Sequence, residues 1–248
     1  MNLLIPTYIF ILGLVLGSFF NVVGLRVPMK LSVVHPPSAC PHCGARLKAK
    51  QLIPVISWLV SGGKCGFCKT SISPVYPLGE LATGFLFLWV YFTFGYSWET
   101  LVGLLLVSMC VIITVSDLKY MLIPDRVLLT FAPLFLLLRL LYPVDSIWDH
   151  VWGLLFGGGV LLLVVIVSKG GMGLGDVKLF ALLGWVVGLP NAVVAFLMAF
   201  LAGTIIGGLL MLAGVVKRKQ PIPFGPFLAL GGLLAFAYGS EWIALYLS

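Results

Sequence analysis

Four cysteines and two aspartates are the residues in this 248-residue chain whose types and spacing could do chemistry. The cysteines form two pairs, Cys40-Pro41-His42-Cys43 and Cys65-Gly66-Phe67-Cys68, separated by 21 residues. A CxxC turn presents two thiolates to one metal, and two such turns complete the tetrahedral shell that zinc prefers. Gly44 after the first pair and Gly66 inside the second suit tight turns. Four sulfurs fill the shell, so the metal is expected to be structural, with no position left for a reactive water. His42 is then surplus. The competing reading is a redox CxxC or two disulfides, which a reducing compartment disfavours. Cys110 lies in an apolar run and reads as a small packing residue.

Only eight acidic residues occur, so each can be weighed singly. Glu99, Asp145, Asp149 and Glu241 fall in short connections on one side, where a solvated carboxylate needs no special role. Asp125, after Pro124, reads as a helix N-cap. Asp117 and Asp176 instead stand at the ends of apolar runs on the opposite side. Asp176 follows the glycine-rich run 170–175, where Gly173 and Gly175 would let a substrate strand approach closely, and Lys178 follows it. The run is not a nucleotide loop, because no Gly-Lys-Ser/Thr follows. Two carboxylates at one membrane face suggest aspartic-protease chemistry, in which a pair shares one proton and activates a water. His35, His42 and His150 read as loop residues without an apparent nucleophile to serve.

The surrounding elements must be membrane helices. Apolar residues make up 61% of the chain and charged ones 9%, with a mean hydropathy of +1.15. Those figures exclude an ordinary soluble domain, a disordered chain and a disulfide-rich secreted module. The fold expected is an all-α polytopic membrane protein of about eight spans, near 5–25, 78–95, 100–116, 127–142, 151–168, 178–190, 192–216 and 224–240. The sixth is short enough to be re-entrant. Domain limits follow as a first helix over 1–25, a zinc-binding loop domain over 26–77 and a helical bundle over 78–248.

Fourteen of the fifteen Lys and Arg residues fall in segments that eight spans place on one side, Arg139 being the exception. By the excess of positive charge in cytoplasmic loops, that side is the cytoplasm. The net charge of +7 therefore reports orientation in a bilayer and not nucleic-acid binding.

Taken in order, the motifs resemble those of prepilin peptidases, the type IV leader peptidases. Leu16-Gly17-Ser18-Phe19-Phe20-Asn21-Val22-Val23 with Arg26-Val27-Pro28 resembles the first helix of that family. The two CxxC pairs match its cytoplasmic loop, and Ile72-Ser73-Pro74-Val75-Tyr76-Pro77-Leu78-Gly79-Glu80 the stretch after it. Asp117-Leu118 with Ile123-Pro124-Asp125 matches the first aspartate motif, and Gly173-Leu174-Gly175-Asp176-Val177-Lys178 the second. The compact loops are similar to competence-type members from Gram-positive bacteria.

The resemblance implies an endopeptidase of the cell membrane with Asp117 and Asp176 catalytic. It implies prepilin or pseudopilin substrates of pilus, competence or secretion systems, whose basic leader is cut after a glycine on the cytoplasmic side. It also implies N-methylation of the new terminus from S-adenosylmethionine, with Glu80 and the 26–80 region candidates for binding that donor. A carboxylate-coupled transporter is the competing expectation; it calls for repeat symmetry between halves, which the sequence lacks. A non-catalytic assembly platform and a GxGD protease of presenilin or preflagellin type are further rivals, the last disfavoured by the cysteine loop.

Overall fold

A computed structural model describes residues 3–40, 42–144, 146–168, 171–217 and 220–248. Expectations placed on Pro41, Asp145, Lys169, Gly170, Arg218 and Lys219 lie outside the described residues. Among those described, the chain is helical, with no strands beyond two isolated bridges, Ala39 with Arg46 and Lys64 with Ser71. It divides into two compact units, Met1–Thr100 and Leu101–Ser248.

The first unit pairs α1 (Leu4–Arg26) with α3 (Val75–Phe94), and α2 (Ile56–Val60) lies in the loop between them. Small residues let the two long helices touch. A Cβ on Gly17 would come 2.8 Å from the Thr83 hydroxyl, and one on Gly13 would come 2.8 Å from the Gly84 Cα. Without a hydrophobic force between helices in lipid, such close backbone approach supplies the packing. Asn21 on α1 crosses to α3, its Nδ2 donating to the Tyr76 carbonyl at 3.2 Å. The helix α3 stops at Gly95, whose φ of +62° is open to glycine and costly for other residues.

The second unit holds most of α4 (Trp98–Tyr120), then α5 (Asp125–Leu141), α6 (Ile147–Val167), α7 (Leu174–Val187), α8 (Leu189–Leu212) and α9 (Gly225–Leu247). Helix α7 is its centre, packed against α5, α6, α8 and α9, with nine of its fourteen residues buried. Its contact with α6 is backbone on backbone. A Cβ on Gly153 would overlap the Gly184 carbonyl, one on Gly184 the Gly153 carbonyl, and one on Gly157 the Phe180 carbonyl. At its far end the Trp185 carbonyl meets His150 Nδ1 at 2.7 Å, and the Val186 carbonyl accepts Arg139 Nε at 2.8 Å. These are carbonyls of the last turn, which a helix cannot satisfy internally.

Several expectations change here. Among the described residues six helices are long and apolar enough by themselves to cross a membrane, α1, α3, α4, α6, α8 and α9, so the count of about eight spans is not confirmed. Helix α5, with 17 residues, and α7, with 14, are about 26 and 21 Å long at 1.5 Å per residue, short of a hydrocarbon core of roughly 30 Å. Helix α7 also starts earlier than its apolar run suggests, so Asp176 lies within its first turn. His150 is no loop residue but a buried one in α6, and Arg139 is buried in α5. Both tend the end of α7, a use for polar groups that periodicity does not reveal.

Candidate active site and metal centre

In the first unit the two CxxC turns are built alike. Cys40 N–H donates to the Ala45 carbonyl at 3.0 Å and Gly44 N–H to the Cys40 carbonyl at 2.9 Å. Cys65 N–H donates to the Thr70 carbonyl at 2.8 Å and Lys69 N–H to the Cys65 carbonyl at 3.1 Å. Each turn closes on a left-handed residue four positions after its first cysteine, Gly44 at φ +69° and Lys69 at φ +59°. Gly66 therefore does not supply the second turn's left-handed position; Lys69 does. The four sulfurs lie within 4.8 Å of one another and could hold a metal ion. The edge of a zinc–thiolate tetrahedron with Zn–S near 2.3 Å is about 3.8 Å. Cys40 Sγ and Cys68 Sγ are 3.8 Å apart, so the donor set fits zinc. The side chain and backbone N–H of Thr70 draw the Cys68 thiol down to about 6, and the backbone N–H groups of Cys43 and His42 lower Cys40. Both favour the thiolate that a metal needs, whereas at Cys43, against the bond from the Ala45 N–H, burial and the neighbouring thiols push the thiol up to about 11.

Glu80, on the second turn of α3, is buried, and its Oε2 accepts the Val55 N–H at 2.7 Å. It ties the cysteine loop to the helix.

In the second unit Asp117 and Asp176 are 5% and 9% exposed, and near enough that the charge of the first bears on the second. Asp117 sits in the last turn of α4, where Ser116 anchors the following loop by donating to the Leu122 carbonyl. Its Oδ2 accepts the Gly225 N–H at 2.8 Å. Gly225 opens the 23-residue helix α9, so an unsatisfied N–H at the positive end of a helix dipole meets the carboxylate. A Cβ on Gly225 would stand 2.8 Å from that same oxygen. Asp176 reaches back to its helix's N-cap, its Oδ2 accepting the Gly173 N–H at 3.2 Å. Each carboxylate is thus fixed through one oxygen.

The arrangement separates Asp125 from the pair. It is not the N-cap of α5; that position is Pro124, with no side-chain cap bond. Asp125 instead accepts from Lys178 Nζ at 2.8 and 2.9 Å, both side chains being more than half exposed. The ion pair lines a cavity of about 300 Å³ together with Leu128, Leu129, Ala132 and Leu182. Gly175 is filled from within, since a Cβ there would meet Ile123 Cβ at 3.0 Å. Gly173 is exposed. Sequence reasoning missed Gly225. Its signal is the run Pro223-Phe224-Gly225-Pro226, with a proline at the first turn of a helix.

On the expectation that Asp117 is catalytic in peptide cleavage, Gly225→Ala should lower that rate roughly 10- to 100-fold, because it displaces Asp117 and weakens a charge-assisted bond worth about 1.5–3 kcal/mol. Steady-state rates at saturating substrate check this, and a wild-type rate contradicts it.

Comparison with known proteins agrees with the motifs. Residues 11–94 match the model of the bacterial peptidase A24 N-terminal domain, and residues 104–208 that of the type IV leader peptidase family. A protein of Bacillus subtilis (strain 168) called prepilin leader peptidase/N-methyltransferase is 39% identical over 239 residues, 96% of each chain. Proteins of the same name from Stutzerimonas stutzeri and Pseudomonas aeruginosa are each 34% identical over 265 residues, covering 96% of this chain and 92% and 91% of theirs. No solved structure matches.

Proposed function

The chain belongs to the type IV leader peptidase family, and on that premise we propose that it cuts the basic leader from prepilins or pseudopilins and methylates the new N-terminus. The observation that carries the peptidase half is the pairing of Asp117 with Asp176, each pinned through one oxygen by a helix-terminal N–H. The transporter reading has no counterpart among the matched relatives.

The pair acts as one unit holding one proton. The ionised carboxylate takes a proton from a water, whose oxygen attacks the scissile carbonyl carbon. The protonated one donates to the carbonyl oxygen. As the tetrahedral species collapses the C–N bond breaks, the departing amine takes a proton from the pair, and one hydroxyl of the collapsing species returns a proton to it, restoring the single shared proton. Gly173, exposed beside Asp176, offers backbone to an extended substrate strand. Lys178, freed from Asp125 or shared with it, supplies a charge for substrate polar groups. The excess of Lys and Arg in one set of loops supports the cytoplasmic face of the cell membrane for this chemistry and for the cysteine loop.

Zinc at Cys40, Cys43, Cys65 and Cys68 is structural, ordering a loop too small to fold on an apolar core alone. Freshly prepared, reduced protein should carry about one zinc per chain, and Cys40→Ser should lose it. Metal analysis finding none would sink the assignment.

S-adenosylmethionine, when bound, supplies a methyl carbon that passes from sulfonium sulfur to the neutral terminal amine, the C–S bond breaking as N–C forms. This half calls for positioning and not for the carboxylate pair. Asp117→Asn should therefore abolish cleavage yet still methylate a pre-cut peptide. Counting radiolabelled methyl groups on that peptide tests the reading; a peptide that never takes label, even from the wild-type enzyme, removes it.

A further inference from the structure

The cavity of about 300 Å³ in the second unit has a charged part and an apolar part. On α5 its lining residues Asp125, Leu128, Leu129 and Ala132 recur at the i, i+3, i+4, i+7 spacing of one helix face. On α7 Leu182 stands one turn beyond Lys178. Both helices begin near the ion pair, so the carboxylate lies at their N-terminal ends and the leucines deeper. Lysine and arginine have the matching build, an apolar stem under a charged head. Lys178 already shows the head contact, its Nζ donating to both Asp125 oxygens at 2.8 and 2.9 Å.

Lys178 is a replaceable occupant. Both side chains are more than half exposed, and an exposed ion pair contributes little. Asp125 lies in the first turn of α5, where the helix dipole favours a negative charge with or without a lysine. Its two oxygens would also accept an arginine fork side by side. Exchanging one cation for another there costs little.

A basic leader has few other acceptors in this unit. Of Asp117, Asp125 and Asp176, the acidic residues that the charge pattern assigns to the side rich in Lys and Arg, only Asp125 is exposed. Lys119 and Arg126 are exposed as well, and their field repels a basic leader. That field is screened over about 8–10 Å at physiological salt, so a contact pair with Asp125 prevails. The cavity also adjoins the aspartate pair. Lys178 is two residues beyond Asp176, about 3 Å along the axis of α7. Ile123, just before Asp125, packs on Gly175, where an added Cβ would meet its Cβ at 3.0 Å.

We propose that Asp125 and this cavity form the subsite for a basic side chain of the leader, with Lys178 as the enzyme's own occupant until a substrate displaces it. The proposal rests on the leader-cleavage reading above and adds to it the residue that reads the leader's charge.

The test is steady-state cleavage by the full chain in liposomes of neutral lipid, so that leader charge does not act through the bilayer. Two prepilin-like substrates are compared, one with its basic leader and one whose leader Lys and Arg are replaced by Gln. The wild type should favour the basic substrate about three- to fivefold in kcat/KM, the scale of one exposed ion pair, with the difference falling on KM. Asp125→Asn should bring that preference to about one or below. Lys178→Gln should hold the preference at the wild-type level or raise it, because the competing cation is gone. Each preference is a ratio measured on one preparation, so differences in folded fraction cancel. Were the ion pair only a tie between α5 and α7, breaking it from either side would have the same effect. An Asp125→Asn enzyme that keeps the wild-type preference, a Lys178→Gln enzyme that loses it, or a wild type without preference would each overturn the proposal. Failure of the underlying reading looks different: the wild type then cuts neither substrate.

Discussion

Asp117→Asn or Asp176→Asn should each remove nearly all cleavage, a loss of roughly 10²–10⁴-fold, the scale of one general acid–base group. An amide can neither take the water's proton nor share one with its partner. The two losses should not add if, as proposed, the pair acts as one catalytic unit. Asp125→Asn should cost far less: Asp125 lies in an exposed ion pair with Lys178, and such pairs contribute little. Cleavage should also fall on both sides of an optimum. In acid both carboxylates carry a proton and no base remains; in alkali the shared proton is lost and no acid remains. The two limits belong to the pair. Rate measurements on variants inserted at wild-type level check all of this. A single Asn variant that cuts at near-normal rate would falsify the dyad.

The second large effect concerns the helix that carries Asp176. Gly184→Ala should destabilise the second unit by about 3 kcal/mol or more, at or beyond the upper end of the usual overpacking cost. The added methyl would occupy the position of the Gly153 carbonyl, a backbone group with no rotamer to yield, so α6 and α7 must part. Helix α7 then loses its fixed position, and cleavage falls with it. Gly159→Ala, on the same α6 but facing open space, is the control and should be nearly neutral. Thermal unfolding in detergent together with the active fraction would read both. Equal melting temperatures for the two variants would contradict the backbone crossing.

What was legible in the sequence was local. Each CxxC pair with its neighbours specifies its own turn, so the four-cysteine cluster could be read from spacing. The long apolar runs gave the helices, because length and hydropathy are summed over many residues. Helix ends were less clear. Asp117 looked like the residue after a span, yet α4 continues through Tyr120, since charged residues at a membrane boundary remain compatible with helix. Lys69 could not be recognised as a left-handed residue from its type; only superposing the two cysteine turns reveals it. The contact of Gly225 with Asp117 joins positions 108 apart, and no local pattern encodes such a distance. The same holds for Arg139 and His150, whose polar groups meet carbonyls of α7 and have no signature in their own segments.

The central claim is that this chain removes a leader and methylates what remains. It is tested most directly by reconstituting the purified protein in liposomes with a prepilin-like substrate and S-adenosylmethionine, then determining the substrate's new N-terminus by mass spectrometry. The account predicts a product cut after the leader's glycine and heavier by one methyl group, absent with Asp117→Asn and Asp176→Asn. An intact substrate, or the same product from both Asn variants, would contradict it.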